Sequence, residues 1–400
     1  MQYRTLGKTG LDVSLVGMGC MRFPFVDGDC NKGVDLQSAF ELLQYAADNG
    51  VNYFDTAYGY HGTNSEAILG EALESRRKNL IFTTKQPWWI MSDDYSIRAN
   101  LENTLKKLRT DYIDCYLLHR IIPEEWENIK KREILKHFEN FKREGLIRHI
   151  GFSYHGDYET FKRVATEYPW EMCMVQQNML DIDIEVTAAG LEFAGELGLG
   201  VTIMEPLRGG GLAFAPPPVQ TVYEKYERET KNGFETNAKD TQTVYRCRPP
   251  QEWAFRHLAD SPAVSSIVSG MSSMAQLVEN IAMFSQEDMK PGCLSPAEKE
   301  TISAARAAYK SIVSIPCTTC DYCVPCPVGV QIPGIFSLYN EFKMFEQTDN
   351  PRRNYMFTTR AGGDASKCTN CGVCIKKCPQ NINIPQALQT AHETLQGWVE

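Results

Sequence analysis

Val51-Asn52-Tyr53-Phe54-Asp55 is a short run of strand-forming residues that stops at a carboxylate. Just before it, Leu36–Asp48 repeats apolar residues at helical spacing, with Leu36, Ala39, Phe40, Leu43, Ala46 and Ala47 on one side. Asp35 stands where an N-cap belongs, and Gly50 lies just past the end. The same alternation recurs outward from this pair. Strands are expected at Ser14–Gly17, Val51–Phe54, Leu80–Thr84, Tyr112–Leu118, Arg148–Phe152, Met172–Gln176, Gly200–Met204 and Ser266–Ser269. Helices are expected between them, among them Ser65–Ser75, Ser96–Leu108, Arg132–Glu144, Tyr158–Thr166, Glu185–Leu197, Pro250–Asp260 and Met274–Phe284. Eight strand-then-helix units in about 270 residues fit a (β/α)8, or TIM, barrel better than an open doubly wound sheet. The barrel is assigned to residues 1–290 of this α/β chain.

Composition narrows the rest. The chain has 400 residues, 43% of them hydrophobic, which excludes wholesale disorder. It carries 41 basic and 50 acidic side chains, for a net charge of −9, which argues against a nucleic-acid partner. No apolar run is long enough to span a membrane. The start, Met1-Gln2-Tyr3-Arg4-Thr5-Leu6-Gly7-Lys8, has no apolar core of the signal-peptide kind, and a cytoplasmic location is expected.

The seventh unit carries an excursion. Gly209-Gly210-Gly211 and Pro216-Pro217-Pro218 open it, and a charged stretch, Tyr223–Lys239, follows. A long loop with some helix on the top face of the barrel is expected there. The pattern breaks near 285–297, so residues 291–400 form a second region, with helices at Ala297–Val313, Ile335–Glu346 and Ile384–Trp398.

That region holds eight of the 14 cysteines; Cys20, Cys30, Cys115, Cys173, Cys247 and Cys293 are scattered. Clustered cysteines in a reducing compartment point to metal rather than to disulfides. Cys317-x2-Cys320-x2-Cys323-x2-Cys326-Pro327 is followed by Cys368-x2-Cys371-x2-Cys374-x3-Cys378-Pro379. Three thiolates at this spacing can wrap one face of a cubane cluster. The fourth, before proline, ligates the other cluster in two-cluster ferredoxins. By that rule Cys317, Cys320, Cys323 and Cys378 hold one [4Fe-4S] cluster, and Cys368, Cys371, Cys374 and Cys326 the second. Tetrahedral zinc is the alternative. The runs resemble the ferredoxin-type 4Fe-4S domain. The first run has two residues rather than three before its last cysteine, and 41 residues separate Cys326 from Cys368, which suits a small, mainly helical version.

Three polar residues fall where barrel strands end: Asp55, Lys85 after Leu80–Thr84, and His119 after Tyr112–Leu118. Strand ends of a (β/α)8 barrel line its active site, so these should converge, with Tyr60 on the loop after Asp55. A free phenol has a pKa of about 10. An ammonium beside it favours phenolate and lowers that value. Asp55 can hold Lys85 charged, and His119 can hydrogen-bond a carbonyl oxygen. Singly, each residue reads as a cap, a solvated charge or a core histidine; together they form an acid–base set. Phe25, Tyr58, Trp88 and Trp89 share these loops and are expected at the pocket mouth.

Residues 1–285 resemble the aldo/keto reductase family. The motifs are Tyr3-Arg4-Thr5-Leu6-Gly7-Lys8-Thr9-Gly10, Phe54-Asp55-Thr56-Ala57-Tyr58-Gly59-Tyr60, Ser65-Glu66 with Gly70-Glu71-Ala72-Leu73, Thr84-Lys85, Leu117-Leu118-His119, Gly151-Phe152-Ser153 and Met204-Glu205-Pro206-Leu207. Asp55, Tyr60, Lys85 and His119 match the family's catalytic tetrad. With the cysteine region, the chain resembles the bacterial branch that carries a C-terminal 4Fe-4S domain.

The resemblance implies an oxidoreductase that uses NAD(H) or NADP(H) to interconvert a small-molecule carbonyl and an alcohol. The clusters would be structural or would transfer electrons. The alternative is an electron-transfer iron–sulfur protein whose barrel is a docking scaffold for a redox protein partner. Ser153 matches the serine that holds the nicotinamide carboxamide, but Tyr154 follows it in place of Asn. The family's carboxamide-binding Gln aligns with Met174, and Gln176 is the substitute; Met204 replaces the stacking aromatic. Leu207-Arg208-Gly209-Gly210 is a pyrophosphate loop candidate, since glycine lets backbone N–H groups approach phosphate. The segment that meets the adenosine 2′-phosphate runs over Gly270, Ser272, Gln276, Glu279 and Asn280. Gly270 and Gln276 stand where the family has lysine and arginine, so NADH should serve at least as well as NADPH unless Arg208 or the excursion restores a charge.

Overall fold

The computed structural model describes residues 1–91, 93–230, 234–236, 243–245, 248–317, 320, 322–345 and 350–396. Cys247, Lys239 and the expected helix ends at Glu346 and Trp398 lie outside the described residues. In chain order the strands are β1 (Tyr3–Thr5), β2 (Asp12–Ser14), β3 (Val16–Gly19), β4 (Tyr53–Asp55), β5 (Ile81–Gln86), β6 (Ile113–Ile121), β7 (Ile147–Tyr154), β8 (Met172–Gln176), β9 (Gly200–Met204), β10 (Phe234–Thr236), β11 (Thr243–Tyr245) and β12 (Val264–Ser269). The helices are α1 (Leu36–Asp48), α2 (Ser65–Leu73), α3 (Asp94–Lys107), α4 (Trp126–Lys131), α5 (Ile134–Arg143), α6 (Tyr158–Thr166), α7 (Thr187–Glu196), α8 (Pro217–Thr230), α9 (Pro250–Ala259), α10 (Met274–Phe284), α11 (Pro296–Ser311), α12 (Ile332–Met344), α13 (Asn350–Arg360) and α14 (Ile384–Leu395).

Eight parallel strands close into a barrel in the order β12-β3-β4-β5-β6-β7-β8-β9, which is the expected (β/α)8 architecture. The first barrel strand sits two residues later than the sequence suggested. Asp12–Ser14 is spent on an antiparallel hairpin with Tyr3–Thr5, and only Val16–Gly19 joins the barrel. The hairpin turn leaves Leu6 and Val13 buried with Tyr53, Ile81, Met172 and Met174. A Cβ on Gly7, which has φ +47°, would run into the backbone of Gly200 at the start of β9. The hairpin therefore plugs the N-terminal end of the barrel and leaves the carboxyl ends for chemistry.

Local chemistry sets the helix starts. Asp35 caps α1 by accepting from Ser38 N–H, Asp157 caps α6 through Thr160 N–H, and Ser273 caps α10 through Gln276 N–H. The helix expected over Arg132–Glu144 is α5, which starts two residues late, after Glu133 in a left-handed conformation at φ +52°; the short helix α4 just before it was not expected.

The chain divides into two compact units: Met1–Pro206 with Ala254–Ser295, and Leu207–Trp253 with Pro296–Glu400. Within the second unit, Tyr223 of α8 stacks on Trp253 at 5.2 Å, and Tyr309 of α11 donates to the Phe214 carbonyl at 2.9 Å. The Arg248 guanidinium meets Glu298 at 2.8 Å. A core of Ile332, Ile335, Phe336, Tyr355, Ile384 and Leu388 joins α12, α13 and α14. Helix α12 begins three residues before the expected start, with Pro333 in its first turn, where a missing N–H costs nothing. Helix α13, in the interval between the cysteine runs, had no clear sequence signal.

Candidate active site and cluster cavities

Parallel pairing puts Gly19 beside Asp55, Asp55 beside Thr83, and Lys85 beside Leu117, so β3 to β6 deliver their polar residues to one end. Lys85 is 1% exposed and Asp55 4%. The ammonium lies 2.8 and 2.9 Å from the two Asp55 oxygens, 2.7 Å from the Thr56 carbonyl and 3.5 Å from the Tyr60 hydroxyl. These partners use the three donors of a lysine. The Tyr60 ring stands edge-on to His119, with centroids 6.4 Å apart. All four expected residues are thus brought together.

The loop carrying Tyr60 is pinned from both sides. The Thr56 hydroxyl donates to Ser65 Oγ, and Ser65 Oγ donates to the Cys20 carbonyl, at 2.9 and 2.8 Å. His61 Nε2 accepts from Phe23 N–H at 3.1 Å, while its ring stacks on Phe23.

Burial opposes charge on Lys85, but the Asp55 carboxylate and the Tyr60 phenol together outweigh it and hold the ammonium's pKa above its usual value. Tyr60 corrects the sequence expectation. Burial raises its phenol pKa, and Lys85 only limits that rise. The imidazole of His119 is pushed down to about 3, first by burial and then by Lys85, His155 and Arg120. It is neutral at physiological pH, and its buried Nδ1 has no partner among the described residues.

Of the aromatic residues expected at the mouth, Trp89 is 38% exposed and 5.3 Å from His119. Phe25 packs edge-on against His61, and Tyr58 lies near the Lys107 ammonium. Trp88 is buried instead, edge-on to Trp89 at 6.4 Å and with the Arg132 guanidinium 6.0 Å from its ring centroid.

On the nicotinamide side, Ser153 and Gln176 are almost fully buried near the carboxyl ends of β7 and β8. Met174 belongs to the apolar barrel interior. Gln176, two residues on, keeps the same side of the strand one step nearer the carboxyl end. Its Nε2 donates to Asp181 at 3.3 Å, and its buried Oε1 has no donor among the described residues. That orphaned acceptor suits the NH2 of a carboxamide, so these residues fit the nicotinamide.

Asn280 donates to Ser269 Oγ at 3.3 Å, and Glu279 is exposed. Gln276 is folded back, its Oε1 accepting from Ser272 N–H at 2.9 Å. A Cβ on Gly270 would lie 2.7 Å from Arg22 Cγ, so the Arg22 stem covers this glycine. Arg22 escaped sequence reasoning because it reads as an isolated surface charge. Leu207, Arg208, Gly209 and Gly210 fall in the second unit, where the two glycines hold φ of +68° and +102°.

The eight clustered cysteines ring two cavities. One, of about 340 Å³, is lined by Cys317, Cys320, Cys323 and Cys378, with Ile332, Phe336, Ile382 and Ile384. The other, of about 370 Å³, is lined by Cys326, Cys368, Cys371 and Cys374, and also by Cys323. Among the described residues, no three ligating side chains converge tightly enough for a single metal ion. Thiols spaced around an apolar cavity fit a cluster.

Residues 15–291 match the aldo/keto reductase family, and residues 316–382 match the 4Fe-4S dicluster domain. The chain belongs to the aldo/keto reductase family and is an oxidoreductase with a C-terminal 4Fe-4S domain. It is similar to the uncharacterized oxidoreductase YqkF of Bacillus subtilis (strain 168), 32% identical over 298 residues, covering 70% of this chain and 90% of that one. It is also similar to L-galactose dehydrogenase of Arabidopsis thaliana, 26% identical over 330 residues, covering 79% of this chain and 96% of that one. Among solved structures, the holo form of aldo-keto reductase AKR11C1 from Bacillus halodurans aligns with a TM-score of 0.57 at 25% identity, covering 76% of this chain and 96% of that one. No helix among the described residues is long and apolar enough to cross a membrane.

Proposed function

We propose that the barrel reduces an aldehyde or ketone to an alcohol, or runs the reverse reaction, with NAD(H) or NADP(H). The observation that carries this reading is the Lys85 ammonium held by Asp55 and Thr56, with Tyr60 at its remaining donor. The nicotinamide, when bound, supplies or accepts the hydride. Ser153 and Gln176 hold its carboxamide. Tyr60 gives its hydroxyl proton to the carbonyl oxygen as that atom gains charge. Lys85 steadies the phenolate left behind, and Asp55 keeps Lys85 charged and in place. The neutral ring of His119 orients the carbonyl oxygen by a hydrogen bond. Burial keeps water from competing for these donors.

Two [4Fe-4S] clusters occupy the cysteine cavities in this reading, bound by Cys317, Cys320, Cys323 and Cys378 and by Cys368, Cys371, Cys374 and Cys326. Eight thiolates in two quartets support it. NADH serves at least as well as NADPH, because Gly270 and Gln276 offer no charge to a 2′-phosphate.

The test is a carbonyl screen with both nucleotides on anaerobically purified protein. Tyr60→Phe is expected to lower kcat at least about a hundredfold while nucleotide affinity holds, since only the proton donor is lost. Wild-type turnover in that variant removes Tyr60 from the mechanism. An NADPH preference of about tenfold or more in kcat/KM overturns the nucleotide reading and directs attention to Arg22.

A further inference from the structure

Strand β6 is irregular where it reaches the site. Leu118 pairs with Phe152 of β7 and Ile121 with Tyr154, so three steps on one strand answer two on the other. The extra residue makes a bulge, and Arg120 sits in it at φ +50°. In a regular strand His119 and Arg120 would point to opposite faces. Here both meet one indole. The Trp89 ring is 5.3 Å from the His119 ring, and Arg120 Cζ is 5.0 Å from the Trp89 centroid. Left-handed conformations of large side chains persist where the surroundings enforce them, and bulges beside active sites re-aim side chains.

Arg120 is exposed, and no carboxylate among the described residues pairs with it. Its charge reaches the site, since it is one of the groups that hold the His119 pKa down. A guanidinium lying against an indole keeps its planar fork partly ordered and its N–H edge available.

We propose that Trp89 and Arg120 form a subsite for a carboxylate, so that the substrate is an aldehyde or ketone that also carries a carboxylate group. The guanidinium takes the carboxylate through paired N–H···O bonds, with the substrate's apolar body against Trp89 and its carbonyl oxygen at Tyr60 and His119. This rests on the carbonyl-reduction reading. A lone surface cation would explain the exposure of Arg120. It would not explain why a left-handed bulge residue shares one ring with the histidine of the tetrad.

The test uses the full chain, purified anaerobically with its iron retained. The probes are 4-carboxybenzaldehyde and its methyl ester, which differ in charge but share the aldehyde. Calorimetric titration, with and without NAD+, gives the two affinities, and steady-state assays give the two kcat/KM values. The acid is expected to bind about tenfold or more tightly than the ester. Arg120→Gln should erase that ratio, and Arg120→Lys should keep part of it, with far-UV circular dichroism confirming that each variant is folded. Equal affinities in the wild type, absence of binding by both, or an unchanged ratio in Arg120→Gln overturns the subsite. A charge-dependent binding ratio without turnover of either compound leaves the subsite standing and sinks the carbonyl-reduction reading. Turnover of both compounds without any binding ratio does the reverse. An effect of Arg120→Gln confined to an acidic electron-carrier protein, with no effect on the acid-to-ester ratio, counts against the subsite and for a protein-docking role.

Discussion

At the scale of single residues, Lys85 carries the most consequence. It holds a buried carboxylate, a backbone carbonyl and the phenol at once. Burial raises the Tyr60 pKa, and the ammonium is the main force opposing that rise. Lys85→Met removes the opposing charge, so the phenol should titrate at still higher pH. The expected result is a loss of kcat comparable to that of Tyr60→Phe. In the residual alcohol-oxidation activity, the alkaline rise should move to higher pH, because more hydroxide is needed to form phenolate. An unshifted pH–rate profile in that variant excludes Lys85 from setting the phenol pKa. The placement of Asp55, Lys85 and His119 near the carboxyl ends of β4, β5 and β6 was legible in the sequence, because each follows an apolar, strand-forming run, although β5 and β6 continue one and two residues further. The net direction of the Tyr60 shift was not, since burial is contributed by residues distant in sequence.

At the scale of elements, the barrel wall between β5 and β6 depends on a charge that reads as solvated. Arg76-Arg77-Lys78 resembles a surface run, yet Arg77 is 6% exposed. Its guanidinium donates to the carbonyls of Leu80 and Tyr112 at 2.8 Å each and pairs with Asp114 at 2.7 Å. The rings of Phe82 and Tyr112 lie within 4.4 and 4.2 Å of it. Asp114 in turn accepts from Phe82 N–H on β5 at 3.0 Å. Arg77→Ala strips two carbonyls and a buried carboxylate of their partner. Such a loss typically costs about 3–5 kcal/mol. Urea unfolding should show a loss of unfolding free energy of that size, and a change under about 1 kcal/mol would mean that Arg148, 3.1 Å from Asp114, satisfies the carboxylate alone. The bulge at Arg120 was likewise invisible in the sequence, because a bulge is a mismatch between two strands and one strand does not record it.

At the scale of the whole molecule, hydride chemistry and cluster chemistry differ in electron count. A nicotinamide moves two electrons together and a [4Fe-4S] cluster moves one, so the two sites are open to separate testing. Wild-type protein prepared anaerobically should hold about eight iron atoms per chain. Cys320→Ala and Cys371→Ala should each lose or convert one cluster and leave the other detectable by iron and sulfide analysis. Iron unchanged in both variants would overturn the two-quartet assignment. Iron near zero in both would show that the cavities assemble as one unit, a coupling for which Cys323, on the lining of both, supplies the physical link.

The sequence by itself determined the number of strand–helix units, the polar residues at strand ends and the two cysteine runs. Each of these is a local pattern, set by a period of two or 3.6 residues or by the reach of a short loop. Tertiary structure decided what lies across gaps in the chain. It put Cys323 on the lining of both cysteine cavities, and laid the Arg22 stem over Gly270. It also turned Arg120 onto the indole beside His119. Those outcomes depend on strand register, on burial and on the field of several distant charges. Each is a sum over neighbours that no short stretch of sequence contains.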